Sequence, residues 1–352
     1  MFNLFSKKKK EEICVVAVSL CSPLGIDGEM TAAMITGECK RLLPHEVLTD
    51  YEDIPLRHSK ATYIKDEDLI DRIKELLTPA LTEVMSPLFR LDQKLTIFAG
   101  LPEKNEYYPD ELTPETLETI SRIVKESPVG AETEVYCRGH SSGIICLEKA
   151  INLLRKGKSD FCIVGGVDSY INTDIMYELM LSRRTFSSFT KHGFVPGEAA
   201  GFLLITTQSK AAKYKLPVLA KVKATSSTME EDTALNGKKC LGKGLSKAVN
   251  SVLSKISEET IIDKIYCDLN GERFRAEEYN YLISRNSQRL TNPGGFISTC
   301  KNYGDVGAAT FPSLLNLAIH HNTEPVTGLF FTGSDSGIRS AAIIETEPFK
   351  GN

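Results

Sequence analysis

No tryptophan occurs in the 352 residues, and no apolar run approaches the roughly 20 residues that a membrane helix needs. A membrane span is therefore excluded. The nine cysteines are scattered and include no CxxC pair, which excludes a zinc ribbon and a disulfide framework. They read as reduced thiols and lead us to expect a cytoplasmic protein. The six histidines show no HxxxH or HxH spacing, so no metal is expected, and no cofactor motif stands out. Charge of one sign is also lacking. With 42 Lys+Arg against 46 Asp+Glu, the net charge of −4 argues against nucleic acid, whose binding runs on clustered cations. What remains is an ordinary globular composition, 41% hydrophobic and 25% charged. The length suits about two domains or one duplicated unit.

Residues 1–12, MFNLFSKKKKEE, read as a flexible basic tail, whose role is open. A secretory n-region is the competing reading, disfavoured by Glu11 and Glu12. Beyond it, short β-branched runs alternate with helical patterns, predicting an α/β fold with a mostly parallel, buried sheet. Strands are predicted at 13–19, 95–100, 134–137, 161–165 and 201–206, and helices at 29–36, 66–75, 114–126 and 142–156. Residues 207–217 (TQSKAAKYKLP) read as a connector, after which the rhythm repeats. Strands are predicted there at 218–223, 265–268, 329–331 and 341–345, with helices at 245–256, 276–284 and 311–321. The expected organisation is an N-terminal half, 13–208, and a similar C-terminal half, 209–352.

The most informative stretch is YCRGHSSGIICLEKAINLLRKGKSDFCIVGG (136–166), a strand, a Gly-flanked turn, a helix and a second strand ending in Gly165–Gly166. Such a turn presents one side chain at a helix N-terminus, where free N–H groups favour negative charge. Four further motifs accompany it in order: VAVSLCSPLGIDGEMTAAMITGECK (16–40), GFVPGEAAG (193–201), DLNGER (268–273) and STCKNYGDVGAA (298–309). Together these resemble the β-ketoacyl synthases of the thiolase-like superfamily. The resemblance implies a thiolase-like fold, duplicated α/β halves in five layers, αβαβα. It also implies a homodimer or a heterodimer with a related subunit, and acyl carrier protein or a CoA thioester as ligand.

The same resemblance places the family's nucleophilic cysteine on His140, its first histidine on Asn270 and its second on Asp305. The motif lysine falls on Cys300, or on Lys301 if the turn slips by one. The glycine-rich loop reads TGSDSG (332–337), so Ser334 and Asp335, with Cys300 and Lys301, are expected to line the pocket. Condensation needs a thiolate carrier and donors for an enolate. His140 would make a labile acyl-imidazole, and the Asp305 anion would repel an enolate, so elongation is not expected. One reading is a non-catalytic partner, accessory or adaptor subunit, with His140, Asn270 and Asp305 as a polar plug. The other is an acyltransferase or thioester hydrolase in which His140, oriented by Asp305, acts as base. The first is favoured because a helix N-terminus disfavours imidazolium.

Several other residues carry structural expectations. Cys137, Cys146 and Cys300 are expected to pack, with the 298–304 loop sharing the cavity of His140. Glu198 should tie backbone N–H groups, and the acids of MEED (229–232) should sit on a surface loop. The charge run 272–278 reads as a solvated helix start, with Arg273 and Arg275 as weak candidates for a ligand phosphate.

Overall fold

The computed structural model describes residues 11–348. The basic tail expected at 1–12 therefore lies outside the described residues, apart from Glu11 and Glu12. The first half runs β1 (Ile13–Cys21), α1 (Gly28–Thr36), β2 (Leu43–Thr49), β3 (Pro55–His58), α2 (Leu69–Met85), β4 (Leu95–Leu101), α3 (Leu112–Glu126), β5 (Ala131–Cys137), α4 (Ser142–Arg155), β6 (Phe161–Ser169), α5 (Thr173–Leu181) and β7 (Glu198–Thr207). The second runs α6 (Gln208–Lys213), β8 (Ala220–Met229), α7 (Lys243–Leu253), β9 (Lys264–Cys267), α8 (Arg273–Asn286), α9 (Cys300–Tyr303), α10 (Thr310–His321), β10 (Val326–Gly333) and β11 (Ile338–Thr346). No helix among the described residues is long and apolar enough to cross a membrane.

Nine strands share one order, β5-β4-β6-β7-β1-β8-β11-β10-β9, and β1 meets β8 through Ile13–Val15 alone. Outward from that junction each side repeats the same pairing sense. β7 lies antiparallel to β1 and to β6, with β4 parallel beyond; β11 lies antiparallel to β8 and to β10, with β9 parallel beyond. The fifth strand of the first side, β5, is matched on the second only by a parallel bridge from Tyr266 to Ile297. This is the duplicated α/β architecture expected.

The five layers follow from which faces are apolar. Leu76, Leu77, Leu81 and Val84 of α2, with Ile120 and Ile123 of α3, pack on the outer face of the first half-sheet. Leu147, Ala150 and Ile151 of α4 join Leu314, Leu315 and Ala318 of α10 between the two half-sheets. Leu245, Val249 and Val252 of α7, with Leu282 of α8, cover the far face.

The expectation of a mostly parallel sheet needs correction. Five of the eight strand pairings are antiparallel (β1·β7, β1·β8, β6·β7, β8·β11, β10·β11), because β1, β7, β8 and β11 gather at the middle. β1 and β7 are buried along nearly their whole length, so they carry the continuous apolar runs that usually mark parallel sheets. Other differences are local. Residues 207–217 hold the short helix α6, α2 runs ten residues past Glu75 to Met85, and the β2–β3 hairpin and α5 had no predicted counterpart.

Candidate functional site

The site forms where β5, the turn before α4 and two C-terminal loops converge. β5 ends at Cys137, and Gly139 (φ +50°) turns the chain into Gly139–Ser141, one tight turn ahead of α4. Ser142 Oγ fixes the turn, accepting from the Arg138 N–H (3.0 Å) and donating to the Tyr136 carbonyl (3.0 Å). Ser334 fastens it from the other half. Its Oγ accepts from the Ser141 N–H at 3.1 Å and donates to the Arg138 carbonyl.

His140 is thereby held 4% exposed, and Nε2 donates to Asp305 Oδ1 at 2.7 Å. Asp305 is itself set by backbone pairing, accepting from the Gly197 N–H and donating its own N–H to the Val195 carbonyl, both at 2.8 Å. The second carboxylate oxygen accepts from Asn270 Nδ2 at 2.6 Å, and the Gly307 N–H donates to Oδ1 at 2.9 Å. The three residues singled out from the sequence thus form one hydrogen-bonded chain, His140–Asp305–Asn270.

This chain runs from one cavity to another. His140 lines a cavity of about 810 Å³ with Tyr108, Asp168, Tyr170, Arg184 and Asp335, whose mouth carries Lys104 and Arg138. Asn270 lines a second, of about 1020 Å³, with Arg57, Phe186, Phe296, Cys300 and Lys301. The two cavities share no lining residue, and the 1% exposed Asp305 lines neither. The expectation that the 298–304 loop shares His140's cavity is therefore wrong. Cys300 and Lys301 face the Asn270 side, because Asp305 stands between. Of the other expected lining residues, Asp335 faces His140 and Ser334 is the clamp on the turn.

A buried ionic net backs this chain. Arg184 holds Glu272 (2.7 Å) and Asp335 (2.6 Å), and Arg275 holds Asp268 (2.6 Å) and Glu272 (3.2 Å). The 272–278 run is therefore no solvated helix start: Glu272, Arg275 and Glu278 are buried. Arg275 is committed to carboxylates and Arg273 pairs with Glu277, so neither is left for a phosphate. Glu230 of the MEED segment is buried as well, its carboxylate taking the Gly244 N–H at 2.6 Å. Its ligand atom lies within 4.8 Å of those of Cys240 and Glu278, but Glu278 is held at both oxygens by Arg339. Glu198 is tied as expected by the Ala61 N–H (2.7 Å), and more strongly by Arg72.

Charge on the site follows from these contacts. Burial opposes charging His140, but the Asp305 carboxylate outweighs it and raises the imidazole pKa above its ordinary value. The same pairing, against burial, holds Asp305 well below the carboxylate range. The helix N-terminus was expected to keep the ring neutral; a carboxylate at 2.7 Å overrides that partial charge. Burial pushes Asp168 up to about 7 in spite of hydrogen bonds from the Ala308 N–H (2.9 Å) and the Tyr108 hydroxyl (3.0 Å). Burial also lifts the Cys300 and Cys146 thiols above their ordinary value. All nine cysteines are free.

Asp168, Tyr108 and Arg184 were not singled out from the sequence. The signal for Asp168 was an acid two residues after the buried Gly165–Gly166 pair; Tyr108 and Arg184 carried none. Gly307 makes the approach of Asp168 possible: at φ +48°, an added Cβ would lie 1.9 Å from Asp168 Oδ2. Gly307→Ala is expected to lower stability by roughly 1–3 kcal/mol in urea unfolding.

Comparison with known proteins agrees with this architecture. The family model of the β-ketoacyl synthase N-terminal domain matches residues 139–211. The pikromycin polyketide synthase component PikAIII of Streptomyces venezuelae is 32% identical over 105 residues, 28% of this chain, and the chain spans only 6% of that protein's length. Among solved structures, a type II polyketide synthase acyl-carrier protein in complex with its hexaketide-bound ketosynthase gives a TM-score of 0.77 at 12% identity, covering 97% of this chain and 100% of that one. The ishigamide ketosynthase/chain length factor gives 0.74 at 13%, covering 97% and 100%. The module 6 ketosynthase of the Bacillus subtilis 168 bacillaene synthase also gives 0.74 at 13%, covering 96% and 72%. The chain has the thiolase-like fold of the solved ketosynthases, and its residues 139–211 match the β-ketoacyl synthase N-terminal domain.

Proposed function

We propose that this protein does not catalyse Claisen condensation and acts as a non-catalytic partner, accessory or adaptor subunit. The carrying observation is the buried chain His140–Asp305–Asn270, in which both Asp305 oxygens are already taken. By motif alignment these residues stand at the positions of the family's catalytic triad. A thiolate carrier is missing from the helix head, where an imidazole paired to a carboxylate sits instead. Acyl transfer to the His140 ring would give only a labile acyl-imidazole, and Asp305 places a negative charge where an enolate would develop. The open cavity beside His140 supports binding of a polar or acyl group without turnover. Solved neighbours that include an acyl-carrier protein complex and a ketosynthase/chain length factor support a partner subunit, as a homodimer or heterodimer.

The second reading is a thioester hydrolase or acyltransferase using His140. It is favoured by one feature, that the ring lines a cavity large enough for a substrate and Nδ1 is the nitrogen left to face it. Acyl-CoA and acyl carrier protein thioesters incubated with the protein, with free thiol followed by a chromogenic disulfide, separate the two. Release at the background rate, unchanged in His140→Ala, is expected. Release that disappears in His140→Ala would establish the enzyme and end the accessory-subunit reading.

A further inference from the structure

One end of the first half-sheet gathers positive charge that has no counter-ion. The residues before β4, the turn from α4 into β6 and the stretch from β7 through α6 meet there. Asp160 joins them: its N–H donates to the Lys94 carbonyl at 2.9 Å, and its carboxylate accepts from the Lys94 N–H at 3.1 Å and from Lys210 Nζ at 2.5 Å. The chain at Glu11 is fastened to the same corner, its carboxylate accepting from the Ser209 N–H at 3.0 Å.

Residues 90–94, 153–160 and 207–217 hold eight Lys+Arg and two acids, in a chain whose net charge is −4. The cations are thus gathered at this end, and the rest of the chain is acidic. Arg155, Lys156, Lys158, Lys213 and Lys215 are exposed and enter no ion pair among the described residues, whereas Lys210 is held by Asp160. Four more lysines, Lys7–Lys10, directly precede Glu11 in the sequence, with Phe2, Leu4 and Phe5 before them. Phe89, 36% exposed, is the chain neighbour of Arg90. Bulky apolar side chains among lysines suit a headgroup layer, which offers anions at its surface and hydrocarbon beneath. A nucleic-acid duplex offers those apolar groups nothing to bury against.

We infer that this face, with residues 1–10 that lead into it, docks on a bilayer surface rich in anionic lipid headgroups. The contact is peripheral and reversible, because several lysines at a charged leaflet and a short apolar insertion are each weak and act together. Lys94 and Lys158 precede the parallel strands β4 and β6, whereas His140 follows the end of β5, which is parallel to β4. The basic face and the His140 cavity therefore lie at opposite ends of the sheet, roughly 20 Å apart along a seven-residue strand such as β4. Docking leaves the cavity uncovered. The inference goes beyond the accessory-subunit reading and does not depend on it.

Co-sedimentation of the full chain with vesicles tests it. Wild type is expected to bind vesicles of about 30 mol% phosphatidylglycerol in phosphatidylcholine at about 50 mM salt, and to be released at about 500 mM. Vesicles of phosphatidylcholine alone are expected to retain at least about tenfold less. Lys156→Glu/Lys158→Glu/Lys213→Glu/Lys215→Glu should weaken binding to the anionic vesicles at least about tenfold, and Lys7→Gln/Lys8→Gln/Lys9→Gln/Lys10→Gln by roughly threefold or more. Melting curves followed by circular dichroism check that the variants fold, and Lys213→Gln/Lys215→Gln repeats the test should the charge reversal disturb folding. Equal retention on anionic and neutral vesicles overturns the inference, and so does unchanged retention in the folded variants. Tighter binding to duplex DNA than to the vesicles would assign the face to nucleic acid and overturn it as well. The thioester assay reads the opposite end of the sheet, so either proposal can fail alone.

Discussion

Asp305→Ala is expected to cost about 3–5 kcal/mol of folding stability, read as a lower urea midpoint at unchanged slope. The carboxylate satisfies the His140 Nε2–H, the Asn270 amide and the Gly307 N–H at once, all inside the protein. Alanine would leave the His140 Nε2–H and the Gly307 N–H buried without an acceptor and the imidazole without its counter-charge, while the Asn270 amide keeps Glu272 at 3.1 Å.

The pH dependence separates this from simple loss of packing. His140's folded pKa lies above its unfolded value of about 6.5, so its contribution is complete below about 6.5 and is lost as pH rises through the folded value. Asp305's folded pKa lies below its unfolded value of about 3.9, so its contribution is complete above about 3.9 and is lost as pH falls through the folded value. The pair therefore contributes fully between about 4 and 6.5. Asp168, raised to about 7, adds to the decline: its protonated form is the favoured one, and stability is lost as pH rises from the unfolded value towards about 7. Wild type should be more stable at pH 5 than at pH 9, with the slope reduced in Asp305→Ala and in Asp168→Asn. Equal slopes in all three proteins would refute this charge assignment. In imidazole NMR, His140 should titrate above the ordinary histidine value in wild type and lower in Asp305→Ala.

Arg72→Ala is the second large effect, again about 3–5 kcal/mol. Arg72 and Glu198 are both fully buried, with Nε donating to Oε2 at 3.0 Å and Nη2 to Oε1. Arg72 also reaches the Asp66 carbonyl (2.5 Å), while Glu198 takes the Ala61 N–H (2.7 Å) and the Ser169 hydroxyl (2.8 Å). The pair pins the start of β7 to α2 and to the segment after the hairpin. Removing Arg72 strands a carboxylate at zero exposure, which is the expensive half of breaking a buried pair. Removing both charges with Arg72→Leu/Glu198→Leu should cost much less than the sum of the single changes. Additive losses, compared by calorimetry, would mean the charges do not act as a unit.

Most of the fold was legible in the sequence, for a local reason. Helices such as α3 and α4 carry an apolar stripe at helical spacing, and strands such as β4 and β6 are short β-branched runs, so each element announces itself within its own residues. Strand direction did not, because β7 is as apolar as a parallel strand while lying antiparallel to both neighbours. The β2–β3 hairpin was missed since most of its residues are not buried and it shows no apolar alternation.

The sequence by itself determined which residues could stand at the head of α4 and in the two C-terminal loops: His140, Asn270 and Asp305, with no thiol among them. Motif order along the chain suffices for that. Tertiary structure alone decided what they do to one another. His140 and Asp305 are 165 residues apart, and only the docking of the second half on the first brings Nε2 within 2.7 Å of Oδ1. That contact sets the charge of the imidazole, assigns His140 and Asn270 to different cavities and turns Cys300 away from the histidine. Charge and access are properties of contacts between distant segments, and no local pattern encodes them.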